Sequence, residues 1–330
     1  MSRQASASSR NWFIAGGAGF IGSHFTDRLL SDPATTRVTL YDNFSSGREW
    51  HYAQHTADPR LQVLRADLKD TGPLQRAMRG HDVVIHLASN PDIARAATDP
   101  DIDFREGTLL TRQVVEAMRV AGVPRILYAS GSGVYGDLGH QEAAEDHGPL
   151  LPASTYGASK LAGEALITSY CYMFGLSGCA FRFGNVVGPR QTHGVGFDFV
   201  RQLLANPREL RILGDGTQSK SYIYVEDVVN AVLRAHTATT KPFEAYNVAT
   251  GDYITVTEIA RIAVDVLELD PALTHFTYTG GDRGWKGDVP IVRLNTDRIQ
   301  SLGWRCSRGA ADALRDSMRA LLPDAQLARL

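Results

Sequence analysis

A tyrosine and a lysine stand four residues apart in the middle of the chain, in the sequence Tyr156-Gly-Ala-Ser-Lys160. On a helix this spacing places the two side chains on one face, with their Cβ atoms about 5–6 Å apart. The positive charge of the ammonium would then favour the phenolate form of the tyrosine. A phenolate can accept a proton from a hydroxyl group while hydride leaves the same carbon. Such pairs are also commonplace on protein surfaces, so the surrounding motifs decide what this one indicates.

Three glycines, Gly16, Gly19 and Gly22, follow a short apolar run and open a predicted helix. This order predicts a dinucleotide site, since the glycines permit the tight turn, the approach of a pyrophosphate and close helix packing. The helix N-terminus then offers free N–H groups to the phosphates. Asp42 follows the second predicted strand, where its carboxylate would bind ribose hydroxyls and repel a 2′-phosphate, which favours NAD over NADP. The alternative is that Asp42 simply caps a turn; Asp67 is a weaker candidate for the adenine end.

The elements that must position these residues alternate between strand and helix from the first motif onward. Short apolar runs predict strands, and apolar residues at helical spacing predict helices, as at 112–121. The predicted strands are 12–15, 38–41, 61–64, 83–87, 125–130, 180–183 and 245–248. Strands alternating with helices at this spacing predict an α/β fold with a doubly wound parallel sheet.

In the second half of the chain this rhythm gives way to loop-rich pieces with several Pro and Gly. We therefore predict a flexible tail at 1–10 and a dinucleotide-binding domain at 11–185, which also receives about 222–250. The pieces at 186–221 and 251–330 would form a smaller, discontinuous substrate-binding lobe. A chain of 330 residues suits one large or two coupled domains of this kind.

The composition argues against several classes of partner. With 43% hydrophobic residues, 21% charged residues and a formal net charge of −2, the chain has no broad attraction for nucleic acid or anionic membrane. No apolar run reaches the roughly 18–20 residues that a membrane span needs. The three cysteines, Cys171, Cys179 and Cys306, lack metal-ligand spacing and are typical of reduced thiols in a cytoplasmic protein.

Taken together, the motifs resemble those of the extended short-chain dehydrogenases, and in particular the NDP-sugar 4-epimerases of the UDP-glucose type. The resemblance covers nearly the whole chain after the tail and is much more specific for the superfamily than for the reaction. Its segments are 16–22, Asp42-Asn43, His86-Leu87-Ala88, 129–136, 156–160, 182–185, 188–190, 214–216 and 222–228.

The resemblance implies a Rossmann-like sheet with a smaller substrate lobe, bound NAD and a nucleotide-diphosphate sugar as substrate. It also implies a homodimer formed through a four-helix bundle, which would use the Arg112 region and the helix at 156–173. Tyr156 resembles the general base, Lys160 its partner and Ser132 a hydroxyl donor. The implied cofactor-binding residues are Gly16, Gly19, Phe20, Ile21, Gly22, Asp42, Asn43, Ser45, Ser46, Gly47, Asp67, Leu68, Leu87, Ala88, Ser89, Ser130, Tyr156, Lys160, Phe183 and Val186. The implied substrate-binding residues are Ser130, Ser132, Asn185, Arg190, Lys220, Tyr222, Arg283 and Lys286.

The chain departs from its relatives at four of the positions to which they assign a role. Gly131 stands where they carry the catalytic Ser or Thr, and Ser130 or Ser132 could supply the hydroxyl instead, with Ser132 favoured. The alternative is that both serines merely terminate the strand. Gly107 stands where they carry an Asn that steadies the cofactor pocket. Lys220 replaces an Arg that binds the diphosphate. A second such Arg is replaced by Trp285, which leaves open whether Arg283 or Lys286 meets phosphate.

Two histidines invite other hypotheses. His86 lies in a predicted buried strand and is more typical of a structural residue. His193 lies in a loop beside Gly194 and Gly196, where it could meet substrate. Neither has neighbours at metal-ligand spacing, and the sequence therefore predicts no metal site.

The predicted reaction is epimerisation at C4 of the sugar through a transient 4-keto intermediate. The nearest alternative is a 4-oxidase or 4-ketoreductase, which shares the first half-reaction but releases its product. Related 4,6-dehydratases carry Asp-Glu where this chain has Ser132-Gly133, and related decarboxylases carry Glu at Gly133, so both reactions are disfavoured. An alternative of another class is a non-catalytic dinucleotide sensor on the same fold. The base and the sugar stay open.

Overall fold

The computed structural model describes residues 11–326, so the predicted tail at 1–10 lies outside the described residues. The strands are β1 (Asn11–Ala15), β2 (Arg37–Asp42), β3 (Leu61–Arg65), β4 (Val83–His86), β5 (Arg125–Gly131), β6 (Glu142–Ala143), β7 (Ser177–Phe183), β8 (Asn185–Val187), β9 (Glu209–Ile212), β10 (Ser219–Lys220), β11 (Tyr222–Tyr224), β12 (Phe243–Val248), β13 (Ile254–Thr255), β14 (His275–Tyr278) and β15 (Arg293–Leu294). The α-helices are α1 (Phe20–Leu30), α2 (Thr71–Met78), α3 (Leu109–Ala121), α4 (Thr155–Phe174), α5 (Val195–Ala205), α6 (Val225–Ala238), α7 (Val256–Val266), α8 (Asp297–Ser301) and α9 (Ala310–Gln326).

A seven-stranded sheet has the strand order β12-β7-β5-β4-β1-β2-β3. Ile14 of β1 pairs with Leu40 on one side and with Ile85 on the other, in parallel register. The order reverses beside β1, which is the arrangement of a doubly wound sheet and brings the carboxyl ends of β1 and β4 together. Strands covered on both faces are continuously apolar, and all four residues of β4 are buried accordingly. The predicted α/β fold is confirmed, with each predicted sheet strand present.

The first of two compact units comprises residues 11–130, 158–182 and 232–246. Its core packs the sheet against α2, α3 and α4, through fully buried side chains such as Phe13, Leu74, Met118 and Ile167. α3 ends at Gly122, whose φ of +75° is the left-handed conformation that commonly terminates helices. This unit therefore holds the turn after β1 and the buried ends of the central strands.

The second compact unit comprises residues 131–157, 183–231 and 247–326. Its core lies between α5, α7 and α9, through residues such as Val200, Ile259 and Leu314. α7 begins with a complete capping box between Thr255 and Glu258. Short strand pairs join distant pieces of chain, namely β8 with β11, β9 with β14 and β6 with β15.

Within residues 11–326, none of the helices is long and apolar enough to cross a membrane.

Candidate functional site

The turn between β1 and α1 is shaped for close approach of a ligand. Gly16 has a φ of +80°, and a methyl group placed on it would lie 2.7 Å from the nitrogen of Ala88. A methyl on Gly22 would lie 2.5 Å from the carbonyl oxygen of Gly17, where helix and turn touch. Gly19 precedes α1 in an extended conformation, and no side chain caps this helix. The N–H groups of Phe20 and Ile21, in the first turn of α1, therefore suit an anion, and the turn fits the pyrophosphate of NAD.

Asp42 ends β2, and its carboxylate is already engaged by two backbone groups. Oδ2 accepts a 3.0 Å hydrogen bond from the nitrogen of Ala18, and Oδ1 accepts a 2.7 Å bond from the nitrogen of Phe44. Burial raises the pKa of Asp42, and these two N–H groups and Arg65 oppose the rise. Asp42 thus caps the turn after β2, which is the alternative to a role in cofactor binding. Each carboxylate oxygen retains a second lone pair, so binding of ribose stays a prediction.

The loops after β2 and β3 meet at the same edge of the sheet. Asn43 donates a 3.2 Å hydrogen bond from Nδ2 to Asp67 Oδ2, and its own Oδ1 accepts from the nitrogen of Ser45 at 3.0 Å. Leu68 is buried and Ser46 is partly exposed, whereas Gly47 packs against Ala18 and Asp42. The structure therefore brings the residues predicted for the adenosine end close together within this unit.

The residues after β4 lie beside the glycine turn. The nitrogens of Leu87 and Ala88 both donate to the carbonyl oxygen of Ala15, at 2.9 and 3.0 Å. Ser89 follows and is partly exposed. Because this stretch contacts Gly16, two of the predicted cofactor segments form one surface at the carboxyl ends of β1 and β4.

Lys160 is almost completely buried although it carries a charge. Its Nζ donates a 2.8 Å hydrogen bond to the carbonyl oxygen of Ala129, near the end of β5. The same nitrogen lies 5.3 Å from the centre of the Tyr128 ring, within the range of a cation–π interaction. Tyr156 is partly exposed and stands one turn earlier on α4, so the two side chains share a helix face as the spacing predicts.

Ser130 forms part of a buried ionic cluster. Its Oγ donates a 2.5 Å hydrogen bond to Glu164 Oε1, and Arg182 binds both oxygens of the same carboxylate at 3.0 and 2.7 Å. The hydroxyl proton is therefore used inside the protein, which favours Ser132 as the donor to a ligand. Glu164 is not among the predicted site residues, although its position four residues after Lys160 on one helix face is a usable signal.

His86 is fully buried, and its imidazole is neutral at physiological pH. Thr111 Oγ1 donates to the carbonyl oxygen of Gly107, so at 3.1 Å it accepts from His86 Nε2, which carries the proton. His86 Nδ1 has no hydrogen-bond partner among the described residues. Burial first, and the charge of Lys160 second, lower the pKa of His86 to about 3. This is a structural histidine, as the sequence predicts.

Gly107, which stands where the family resemblance implies an Asn, lies too close to Ser159 for a side chain to be added without a shift. It lies in a π-helical turn, Phe104–Thr108, directly before α3. A methyl group on Gly107 would lie 2.7 Å from the Oγ of Ser159 and 2.9 Å from its Cβ. Any side chain there would displace α4, on which Ser159 stands directly before Lys160.

Ser132 begins a 3-10 turn, Ser132–Tyr135, in the second unit and is partly exposed. The turn is anchored by Tyr135, whose hydroxyl donates a 2.8 Å hydrogen bond to Oδ1 of the fully buried Asn247. Gly131 is extended, with φ −162°, and a methyl group on it would meet no atom within 4 Å. Nothing steric at the Cβ position therefore requires glycine at 131, where the family resemblance implies Ser or Thr.

The predicted substrate residues of the second unit lie on neighbouring elements. Asn185 of β8 pairs with Tyr222 of β11, and Asn185 donates from both its backbone and side-chain nitrogens to the Ser221 carbonyl, at 3.0 and 3.3 Å. Burial raises the pKa of the Tyr222 phenol, and the nearby Asp288 adds to the rise. Arg190 adopts a φ of +67° in the loop after β8.

A further group surrounds Asp288, which is buried. Lys220 Nζ lies 2.5 Å from Asp288 Oδ1, and Arg283 donates to the Asp288 carbonyl oxygen and, at 2.7 Å, to Asp137 Oδ2. Lys286 is exposed. The pattern around Gly287-Asp288 was visible in the sequence, whereas nothing there signalled Asp137.

No group of His, Cys, Asp and Glu within residues 11–326 has an arrangement that could hold a metal ion.

These observations define a class: a doubly wound dinucleotide-binding protein with a Tyr–Lys pair on the helix after β5. Residues 12–249 match the model of the NAD dependent epimerase/dehydratase family. The UDP-glucose 4-epimerase of Mycolicibacterium smegmatis is 33% identical over 311 residues, which cover 91% of this chain and 95% of that protein.

Solved structures agree with this match. A UDP-galactose 4-epimerase superposes with a TM-score of 0.84 at 36% identity, covering 95% of this chain and 99% of that one. A dTDP-glucose 4,6-dehydratase from Streptomyces venezuelae, solved with NAD bound, superposes with a TM-score of 0.87 at 27% identity, covering 96% and 98%. The chain belongs to the NAD-dependent epimerase/dehydratase family. The predicted cofactor, NAD, and the predicted class, a nucleotide-sugar epimerase, are confirmed.

Proposed function

We propose that the protein interconverts two nucleotide-diphosphate sugars that differ in configuration at C4, with Tyr156 as the base. The observation that carries this proposal is the placement of Lys160, a buried ammonium held by the Ala129 carbonyl one helical turn after Tyr156. A fixed positive charge there favours the phenolate that proton removal needs.

In the proposed reaction Tyr156 takes the proton of the C4 hydroxyl. A bound NAD would supply reversible hydride transfer at C4 of the sugar. Ser132 donates a hydrogen bond to the C4 oxygen, and this bond strengthens as negative charge develops on that oxygen. The resulting 4-keto sugar presents its other face, and Tyr156 gives the proton back. Only contacts that are stronger in the transition state accelerate the reaction, so the phenol and the serine matter more than general sugar contacts.

The loop at 131–137, called the serine loop below, supports this reaction over an elimination or a decarboxylation. It carries Ser132-Gly133, and neither residue supplies an acid or a base for a second carbon of the sugar. A dehydration needs both, at C5 and at the leaving hydroxyl.

The experiment is incubation of the purified protein with a panel of NDP-hexoses and NDP-heptoses, without added cofactor. Product stereochemistry is followed by NMR and reduced nicotinamide by absorbance, with Tyr156→Phe as the control. A 4-epimer without lasting reduced cofactor supports the proposal. A 4-keto sugar with stoichiometric reduced NAD identifies an oxidase instead. No turnover of any sugar contradicts the proposal and favours a dinucleotide sensor.

The proposal extends to a homodimer formed through α3 and α4. Apolar side chains at the ends of these helices are exposed, with Tyr172 and Met173 each at 71%, Phe174 at 47% and Val120 at 45%. A patch of this kind is costly to leave in water. Sedimentation of the Tyr172→Glu/Met173→Glu variant tests it: a dimer that becomes monomeric supports this face, and an unchanged dimer contradicts it.

A cytoplasmic location is proposed because the three cysteines are free thiols.

A further inference from the structure

The second unit contains a glycine-rich segment, residues 280–288, whose backbone has unusual freedom. Gly280, Gly281 and Gly287 have φ angles of +81°, +82° and +88°, in the left-handed region that favours glycine. The segment starts from a fixed point, because the nitrogen of Gly280 donates to the Gly214 carbonyl at 2.9 Å. Within the remainder, the nitrogen of Asp288 donates to the Trp285 carbonyl at 3.1 Å, and side-chain contacts add to this backbone bond.

Arg283 makes the contact that joins this segment to a distant part of the chain. One guanidinium nitrogen donates to Asp137 Oδ2 at 2.7 Å, and another donates to the carbonyl oxygen of Asp288. Asp137 stands five residues after Ser132, directly after Gly136, and its Oδ1 accepts from the nitrogen of Gly139 at 3.2 Å. Arg283 holds the pKa of Asp137 below its usual range, so the carboxylate is charged at neutral pH.

Asp288 continues the chain of contacts toward β10. Its carboxylate is buried, receives Lys220 Nζ at 2.5 Å on Oδ1, and receives the nitrogen of Gly284 at 3.1 Å on Oδ2. A surface ion pair alone contributes little, but a guanidinium with two partners inside a charge network fixes geometry well. The network therefore runs from the serine loop through Arg283 and Asp288 to Lys220.

We propose that Arg283 is a positioning residue that latches the glycine-rich segment onto Asp137 and thereby holds Asp288 and Lys220 in place for a nucleoside diphosphate. The inference rests on the proposed function in taking the substrate to carry a diphosphate. Arg283 acts through Asp288 and does not itself bind phosphate. Lys286, on the same segment and exposed, is left for that contact.

The sign of one substitution separates the latch from direct phosphate binding. If Arg283 bound phosphate, Asp137 would compete for the guanidinium and repel the ligand, so Asp137→Asn would strengthen binding. If Arg283 is a latch, Asp137→Asn loosens the segment and weakens binding. Asp282→Asn is the matched control, because this substitution removes the same charge beside Arg283. Asp282 Oδ2 lies 4.0 Å from Arg283 Nε, and the Asp282 side chain is 76% exposed.

The experiment measures binding of UDP, dTDP, GDP, ADP and CDP to the NAD-loaded protein by calorimetry, without turnover. The diphosphate that the wild type binds most tightly is then used with Asp137→Asn, Arg283→Gln, the double variant and Asp282→Asn. Asp137→Asn and Arg283→Gln are each expected to raise Kd about 5–10-fold, within the usual range of coupling free energies. The double variant should have the same Kd as Arg283→Gln, since both substitutions break the contact between Arg283 and Asp137. Asp282→Asn should stay within about twofold.

Hydrogen exchange of the ligand-free variants gives an independent readout. Peptides covering 280–288 should exchange faster in Asp137→Asn and Arg283→Gln, and at the wild-type rate in Asp282→Asn. Unchanged exchange in both variants, or tighter binding by Asp137→Asn, overturns the latch. A wild type that binds none of the diphosphates overturns it as well. If the protein binds a diphosphate but epimerises no sugar, the proposed function fails and the latch stands.

Discussion

The hydroxyl of Ser130 donates a 2.5 Å hydrogen bond to Glu164, and the same carboxylate binds Arg182 through two guanidinium nitrogens. All three side chains are almost completely buried. Buried charges of this kind depend on having every partner in place, because removal of one leaves an uncompensated group. Ser130 thus completes an internal network, whereas Ser132, two residues later, is partly exposed.

Ser130→Ala and Ser132→Ala should therefore fail in different ways. Ser130→Ala removes a partner from a buried carboxylate, so we expect the free energy of unfolding to fall by about 1–3 kcal/mol. Ser132→Ala removes a donor to the reacting oxygen, so we expect kcat to fall about 10²-fold with little change in stability. Urea unfolding and steady-state kinetics on both variants check this. A larger loss of kcat in Ser130→Ala than in Ser132→Ala would reverse the assignment.

Gly131 offers a gain-of-function test. Its backbone is extended and a methyl group would meet nothing within 4 Å, so Gly131→Ser needs no rearrangement. We expect this variant to be more stable by roughly 0.4–1 kcal/mol, because the unfolded chain loses freedom. In the Ser132→Ala background the new hydroxyl should restore at least tenfold of the lost kcat. The control is Gly136→Ala, where φ is +77° and the added carbon would overlap the Leu151 carbonyl oxygen. Gly136→Ala should therefore be destabilised. If Gly131→Ser does not restore kcat in the Ser132→Ala background, the hydroxyl must stand at position 132.

Local patterns in the sequence predicted the sheet strands and the glycine turn after β1. β4 is fully buried because both faces of the sheet are covered, and Gly16 and Gly22 stand where close approaches of the backbone require glycine. In both cases neighbours in sequence are also neighbours in space, so periodicity and spacing carry the information.

Long-range contacts could not be predicted in the same way. Asp137 and Arg283 are 146 residues apart, and Ser130 and Arg182 both bind Glu164, which stands on a third element. The close approach of Gly107 to Ser159 is equally hidden, since it depends on where α4 places Ser159. Tertiary packing decides that Ser130, and not Ser132, is buried in a network. No single-residue property encodes this difference.

The buried histidine gives a pH dependence with a definite sign. Burial lowers the pKa of His86 to about 3 in the folded protein, against 6.5 for the unperturbed side chain. Between these values the unfolded chain binds a proton that the folded chain does not, so stability falls as the pH falls from about 6.5 toward 3. His86→Gln removes this proton, and its free energy of unfolding should depend less on pH by up to about 1 kcal/mol per unit.

Urea titrations at pH 7, 6 and 5 measure that slope. His81 and His236 also have pKa values lowered to about 4, so some pH dependence remains in the variant. The exposed His140→Gln serves as the control for loss of one imidazole. An equal slope in the wild type and in His86→Gln would mean that His86 is protonated alike in the folded and unfolded states.

Asp42 is the residue on which we predict the choice between NAD and NADP to depend. Its two oxygens accept backbone N–H groups from Ala18 and Phe44, and each has one lone pair left for a ribose hydroxyl. Asp42→Asn keeps one acceptor and removes the charge, so we expect NAD to bind about tenfold more weakly and the preference over NADP to shrink. Titration of cofactor-depleted protein with each dinucleotide measures both. Asp67→Asn is the comparison, because a residue at the adenine end contacts a part that NAD and NADP share. It should weaken both dinucleotides by the same factor, and an unchanged NAD/NADP ratio in Asp42→Asn would show that Asp42 only caps the turn.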